Sequence, residues 1–341
     1  MNAPRRSTEK FLEGYEQQYP QFKREAELVR GLVLEIAERS GASVHAVRAR
    51  AKSPESVRDK LRRKHYDRPE SQLTDLIGVR IITTYSDEVD LVASKLRESF
   101  VISQHDSIDE RTLLGQTGFG YRSVHLVARL KGAQARNRRY RILQDQWFEV
   151  QVRTILEHAW AEISHEIAYK SGVEYPPPLV RKFSSLAGTL ELLDNEFLTI
   201  RDERNQLIDE YRAIYADGTR DRKAFDVARL LGFMEAIRPE GNGWRQATKN
   251  REPFQQGLDV ACVDALRHVG LGTSSSLGRM LECASFEQAL FAFASANGIA
   301  PQSVSHLALV LIALALKRPA AVTRFFPDIV CDAALQRACK L

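Results

Sequence analysis

The sequence predicts an α+β fold: a central, mainly antiparallel sheet flanked by helices, followed by an all-α C-terminal domain. Three observations carry this. Apolar and polar residues alternate over residues 121–130 and 147–153, the two-residue period of a strand. Residues 76–85 form a β-branched, apolar run interrupted only by Gly78 and Arg80, which fits a mostly buried strand. Apolar residues before position 40, and again from 179 onward, recur at steps of three and four, the period of helices.

In chain order, Phe22, Ala26, Val29, Val33 and Ile36 mark one face of an amphipathic helix that ends near Ser40-Gly41. Residues 43–52 shift toward alternation, which puts Arg48, Arg50 and Lys52 on one face of an extended segment. Ser53-Pro54 is an N-cap with proline at the first helical position, opening a basic helix to about Lys64. A short helix follows over 88–98. In residues 121–130, Val124, Leu126, Ala128 and Leu130 face one way and Tyr121, Ser123 and His125 the other. Residues 140–143 and 147–153 flank Gln144-Asp145-Gln146 and predict a hairpin. Its second strand sets Phe148, Val150 and Val152 against Glu149, Gln151 and Arg153. Thr154 with Glu157 three residues on is a capping box. It opens a helix to about Lys170, with Ile155, Ala159, Ile163 and Ile167 at helical spacing. Tyr175-Pro-Pro-Pro178 is a break, a helix runs from 179 to about 215, and Ala216-Asp-Gly-Thr219 reads as a linker. Residues 222–341 are mostly helical, with loops at 240–243 and 270–276. The domains expected are a helical segment at 1–44, a core at 45–172, helices packing on it at 173–217, and a helical domain at 222–341.

Bulk properties bound the function. The 341 residues are 44% hydrophobic and 27% charged, enough for an ordinary folded core. The net charge of +5 suits a phosphate-bearing partner and many others equally well. Cys262, Cys283, Cys331 and Cys339 lack zinc-knuckle spacing and read as buried thiols or bystanders. Residues 1–10 carry no apolar signal region, and the apolar run at 307–316 is too short to span a bilayer. A cytoplasmic protein with no membrane partner is expected.

Four clusters carry chemistry. Arg50, Lys52, Ser53, Ser56 and Lys60 set cations beside a helix N-terminus, a cradle for phosphate. A solvated basic helix face explains them equally. Asp75, at the start of a strand, suits Mg²⁺, which keeps waters and takes one or two carboxylates plus substrate phosphates. It also suits a plain turn cap. Gly118-Phe-Gly120-Tyr121-Arg-Ser-Val-His125 offers close backbone approach and an aromatic ring, or simply a glycine turn. Glu149, Gln151 and Arg153 form one polar sheet face, ahead of His158, Trp160, Glu162, Ser164 and His165. The outer face of an antiparallel sheet looks the same, and Trp160 reads as core.

The joint order of these clusters resembles the synthetase domain of the RelA/SpoT family. The motifs are Arg-x-Lys-Ser-x-x-Ser-x-x-x-Lys from Arg50, Asp-x-x-Gly-x-Arg from Asp75, Gly-Tyr-x-Ser-x-His to His125, Glu-x-Gln-x-Arg-Thr from Glu149, and Trp-Ala-Glu before a His and Tyr169-Lys170. The likeness covers about residues 45–170. It implies a nucleotidyltransferase-like sheet, ATP as diphosphate donor, GDP or GTP as acceptor, and Mg²⁺ as cofactor. By matching positions, Arg50, Lys52, Ser56, Lys60 and Arg80 are expected at ATP. Asp75 and Glu149 are expected at the metal, with Glu149 also the base. Tyr121, His125, Gln151 and Arg153 are expected at the acceptor. Small relatives often self-associate, so a homo-oligomer is expected as well.

The pattern departs from the family in two places. Residues 115–119 lack the lysine that many members carry before Gly-Tyr, and Ser164 stands where many small synthetases have glutamate. Both changes bear on the acceptor and leave open adenine nucleotides or the 3′ end of tRNA. Arg62-Arg63-Lys64 and residues 136–141 are the basic runs available to a tRNA. A non-catalytic nucleotide-binding regulator is the third reading, disfavoured by the presence of both Asp75 and Glu149. His105-Asp106 stands alone, so no alarmone hydrolase is expected.

Overall fold

The computed structural model describes residues 3–64, 66, 68–113, 123–169, 176–236, 258–298 and 304–327. The chain divides into two compact units, Met1–Thr199 and Ile200–Leu341.

The first unit begins with α1 (Ala3–Glu38), which contains Pro20 and starts well before the amphipathic stretch seen in the sequence. β1 (Val44–Ala51), α2 (Pro54–Arg63), α3 (Pro69–Gln72), β2 (Ile77–Thr83) and α4 (Ser86–Ser99) follow. Then come β3 (Val101–Ile102), β4 (Ile108–Asp109), α5 (Glu110–Leu113), β5 (Val124–Arg129) and α6 (Ala133–Arg136). A 3₁₀ turn (Arg138–Leu143), β6 (Phe148–Thr154), α7 (Ile155–Tyr169) and α8 (Pro177–Ala216) complete the order. Ser53 caps α2, accepting the Ser56 amide at 3.2 Å. Thr154 and Glu157 exchange both bonds of the expected capping box.

The sheet runs β1-β2-β6-β5-β3, and β3 and β4 both pair with β5, at its two ends. Every pairing is antiparallel except β2 with β6. One face is apolar. Ile77, Val79, Ile81, Val124, Leu126, Phe148, Val150 and Val152 pack there against Val29 and Val33 of α1 and Val92 and Leu96 of α4. The other face carries Arg80, His125, Glu149 and Gln151.

The predicted hairpin is corrected. Residues 138–143 form a 3₁₀ turn capped by Asn137, not a strand. Tyr140 and Leu143 are buried three residues apart while Arg141 and Ile142 are exposed. That spacing eclipses on a 3₁₀ turn and contradicts alternation. The expected strand at 121–130 is shorter, and Tyr121 lies outside the described residues. The apolar spacing of α7 does not mark its buried face: Ile155 and Ile163 are both exposed.

In the second unit, the end of α8 is followed by α9 (Val227–Ala236), α10 (Leu258–His268), α11 (Ser274–Leu281), α12 (Ala284–Ala296), α13 (His306–Lys317) and α14 (Pro319–Phe325). Buried Phe225, Phe233, Leu266, Leu290 and Ile312 belong to its core, and α13 is buried along most of its length. The predicted loop at 270–276 is shorter than expected, because Thr273 caps α11 from within it. The predicted loop at 240–243 lies outside the described residues. Cys262 and Cys283 are free thiols; Cys331 and Cys339 lie outside the described residues. No helix among the described residues is long and apolar enough to cross a membrane.

Phe148 is fully buried and meets Phe100 edge to face, centroids 5.3 Å apart. Phe148→Ala is expected to destabilise the first unit by about 3–5 kcal/mol, read from its denaturant midpoint.

Candidate functional site

Strand register builds the site. The end of antiparallel β1 lies beside the start of β2, Ala51 opposite Ile77. This puts Lys52 next to Asp75, and the Lys52 amide donates to the Leu76 carbonyl at 2.9 Å. Across the open face, one row runs Arg48, Arg80, Gln151, His125 over four strands. The next row runs Arg50, Gly78, Glu149, Val127. Two cations directly opposite, Arg48 and Arg80, cost stability in a sheet unless an anion lies near. Glu162 of α7 supplies one, accepting Arg80 Nη1 at 2.5 Å.

Asp75 is the hub. Its Oδ2 accepts Lys52 Nζ at 2.5 Å and Lys60 Nζ at 2.8 Å. Burial pushes this carboxyl up, but the two ammonium groups outweigh it and hold it below the usual carboxylate range. Burial likewise pulls Lys60 down, and its bond to Asp75 overturns that and raises it. Asp75 Oδ1 is buried without a hydrogen-bond partner.

A second charged group lies two strands away. His125 Nδ1 stands 2.7 Å from Glu149 Oε1, and His125 Nε2 lies 3.7 Å from Glu110 Oε2. Burial lifts the Glu149 carboxyl, and the His125 bond and charge reverse this, leaving it lowered. Glu110 goes the other way: burial raises it, His125 draws it back, and Glu149 raises it again. Arg153, the last sheet-face residue predicted, is 1% exposed.

These groups line one cavity of about 1100 Å³. Its walls include Arg50, Lys52, Ser56, Asp75, Arg80, His125, Glu149, Gln151 and Arg153. Every predicted site residue that the structure describes is therefore brought together. Lys60 joins through its bond to Asp75, and Tyr121 lies outside the described residues. Ser164 lines the wall too. Trp160, read from the sequence as core, also lines the cavity, because α7 covers the open face of the sheet instead of entering its core. Arg63 and Lys64, from the basic run read as available to a tRNA, line the cavity as well, and Glu110 is a cavity residue that no sequence reading marked. Glu110 has no motif signal; it is placed by β4 pairing with β5 and by its amide donating to the Ser123 carbonyl at 3.0 Å.

Among the described residues, no group of three or more His, Cys, Asp or Glu side chains is arranged to hold a metal ion. Two carboxylates on one wall, one with a partnerless buried oxygen, still fit a hard divalent cation, which needs only one or two protein carboxylates.

A family model described as "Region found in RelA / SpoT proteins" matches residues 49–174. The chain is 30% identical over 199 residues to GTP pyrophosphokinase YjbM of Bacillus subtilis (strain 168), across 57% of this chain and 89% of that protein. It is 27% identical over 168 residues to GTP pyrophosphokinase YwaC of the same organism, across 47% and 75% respectively. Among solved structures, small alarmone synthetase 2 from Bacillus subtilis aligns with a TM-score of 0.46 at 24% identity, over 55% of this chain and 98% of that one.

The raised Glu110 carboxyl has a testable sign. A carboxyl raised by folding favours the native state below its unfolded pKa and loses that contribution as pH rises through the folded one. Glu110→Gln is therefore expected to be more stable than wild type at pH 7. The gain should vanish as pH falls below the usual carboxylate range, in urea midpoints measured across pH.

Proposed function

The chain belongs to the RelA/SpoT family, that of the GTP pyrophosphokinases it matches, and from that premise we propose the reaction it catalyses. It transfers the β,γ-diphosphate of ATP to the 3′-hydroxyl of GDP or GTP, giving ppGpp or pppGpp with AMP, and does not hydrolyse the product. The observation that carries this is the gathering of Lys52, Lys60 and Asp75 with Glu149 and His125 around one cavity of about 1100 Å³. Pockets for a single drug-sized ligand run to roughly 300–1,000 Å³, so this cavity is at least large enough for a nucleotide.

The donor phosphates lie against Lys52, Lys60, Arg50 and Arg80, with Ser56 and the amides at the start of α2 adding donors. Asp75 and Glu149 would hold Mg²⁺. The ion, when bound, offsets the charge that builds on the phosphoryl oxygens. The acceptor lies over His125, Gln151 and Arg153, with Tyr121 stacking on its base by family resemblance. Glu149 takes the proton of the 3′-hydroxyl as that oxygen bonds to the β-phosphorus and the bond to AMP breaks. Its lowered pKa keeps it charged at neutral pH, and His125 at 2.7 Å fixes which way the carboxylate points. The protein mainly positions groups and neutralises charge, which is what phosphoryl transfer asks of it.

A second acceptor reading has one observation in its favour. Ser164 lies in the cavity wall, with Arg63 and Lys64 at the same cavity. Without the family's glutamate and with added cations, an adenine nucleotide or a tRNA 3′ end becomes an alternative acceptor. We also propose self-association, supported by the exposure of Leu192 at 66% and Phe197 at 51% on the part of α8 within the first unit.

The test mixes the protein with Mg²⁺, γ-labelled ATP and, in separate tubes, GDP, GTP, an adenine nucleotide or tRNA. Label on GDP or GTP supports the leading reading. Label only on the others moves the protein to the second, and no transfer in any tube removes both. Glu149→Gln is expected to keep ATP binding and lose transfer by at least on the order of 10²–10³. Near-normal turnover in that variant would overturn the role given to Glu149.

A further inference from the structure

The three segments that carry Lys52, Lys60 and Asp75 are held by a small hydrophobic cluster of their own, separate from the core beneath the sheet. Its buried members are Tyr15 from α1, Val57 from α2, and Leu73 and Leu76, which flank Asp75 in the turn before β2. The cluster therefore draws mainly on the first half of α1, with Phe22 just past Pro20 also packed against it, while Val29 and Val33 of the second half pack on the sheet.

Tyr15 sits at its centre. The side chain is 3% exposed, and its ring lies 4.8 Å from that of Phe22 between centroids. Its hydroxyl donates to the Lys52 carbonyl at 2.6 Å. The Lys52 amide already donates to the Leu76 carbonyl. Both peptide groups of Lys52 are thus fixed, one by the helix and one by the turn that bears Asp75. The point from which the Lys52 side chain reaches Asp75 is set by a residue that never touches the cavity. At the surface, Glu16 of α1 pairs with Arg58 of α2 at 2.6 Å and ties the same two helices.

We propose that Tyr15 is a positioning residue for the donor nucleotide, holding Lys52 and α2 in register with Asp75. This rests on the reading that this end of the sheet binds ATP. A buried tyrosine hydroxyl needs a partner, and here the partner is the backbone of a phosphate-binding lysine. Losing the bond lets Lys52 move at its root while the rings still pack. The defect should fall on the donor and spare the acceptor.

The experiment uses the full chain with four proteins: wild type, Tyr15→Phe, Tyr15→Leu and, as a control one turn along α1, Tyr19→Phe. Binding of the non-hydrolysable donor α,β-methylene ATP is measured by calorimetry, beside steady-state kinetics and thermal unfolding. One intramolecular hydrogen bond corresponds to about two- to tenfold in an equilibrium constant. Tyr15→Phe is expected to weaken the analogue and raise the KM for ATP by that factor. The acceptor KM and the Tyr19→Phe control should stay unchanged, and Tm should move by no more than about 4 °C. Tyr15→Leu, which also loses the ring, should show the larger donor defect. Wild-type affinity in Tyr15→Phe overturns the inference alone. An equal loss for both substrates also overturns it, since that marks general loosening. A wild-type chain that binds no analogue overturns both the inference and the donor-site reading beneath it.

Discussion

Lys52 and Lys60 converge on a single oxygen of Asp75. Two ammonium groups brought together in a partly buried place repel each other and lose hydration, so neither stays without an anion between them. One carboxylate against two lysines leaves a local excess of positive charge. That excess suits a polyanion. The same contact closes the end of β1 onto the start of β2 and anchors α2 over both. The parallel β6 then brings Glu149 beside Gly78, and β5 brings His125 beside Gln151. The two halves of the site, lysines at one end and the histidine-bound glutamate two strands away, thus share one floor.

Local chemistry was legible in the sequence wherever it was short-range. Ser53-Pro54 and the Thr154–Glu157 box stand where their spacing placed them, because capping depends on residues three apart. The alternation of β6 was equally plain, since Phe148, Val150 and Val152 face one way and Glu149, Gln151 and Arg153 the other. What escaped was set by partners far along the chain. Nothing in β2 or β6 alone says that they pair in parallel, and that pairing decides which groups stand opposite Glu149. Glu110 lies in no motif and enters only through the register of a two-residue strand. The first half of α1 escaped because its aromatic residues pack on α2 and the Asp75 turn, targets that are invisible before the fold is known. Residues 138–143 misled because a short β-branched and aromatic stretch scores as strand, while the burial of Tyr140 and Leu143 follows a period of three. The residues of the ordered motifs come from separate elements, and those the structure describes lie around one cavity, Lys60 through its bond to Asp75.

Gly78 stands in the register between Arg50 and Glu149, and a methyl group built on it would meet nothing within 4 Å. Packing therefore does not require a glycine there, and a strand interior generally prefers a side chain. The space above it is a smaller cavity of about 230 Å³, also walled by Arg50, Asp75 and Glu149. Selection for folding would favour a side chain at this position, and only selection for what fills that space can hold the glycine. A lineage released from the second constraint could acquire a side chain at 78 and block the floor while keeping its sheet. Loss of turnover and loss of structure are uncoupled at this residue, so a silent, still-folded descendant lies one mutational step away.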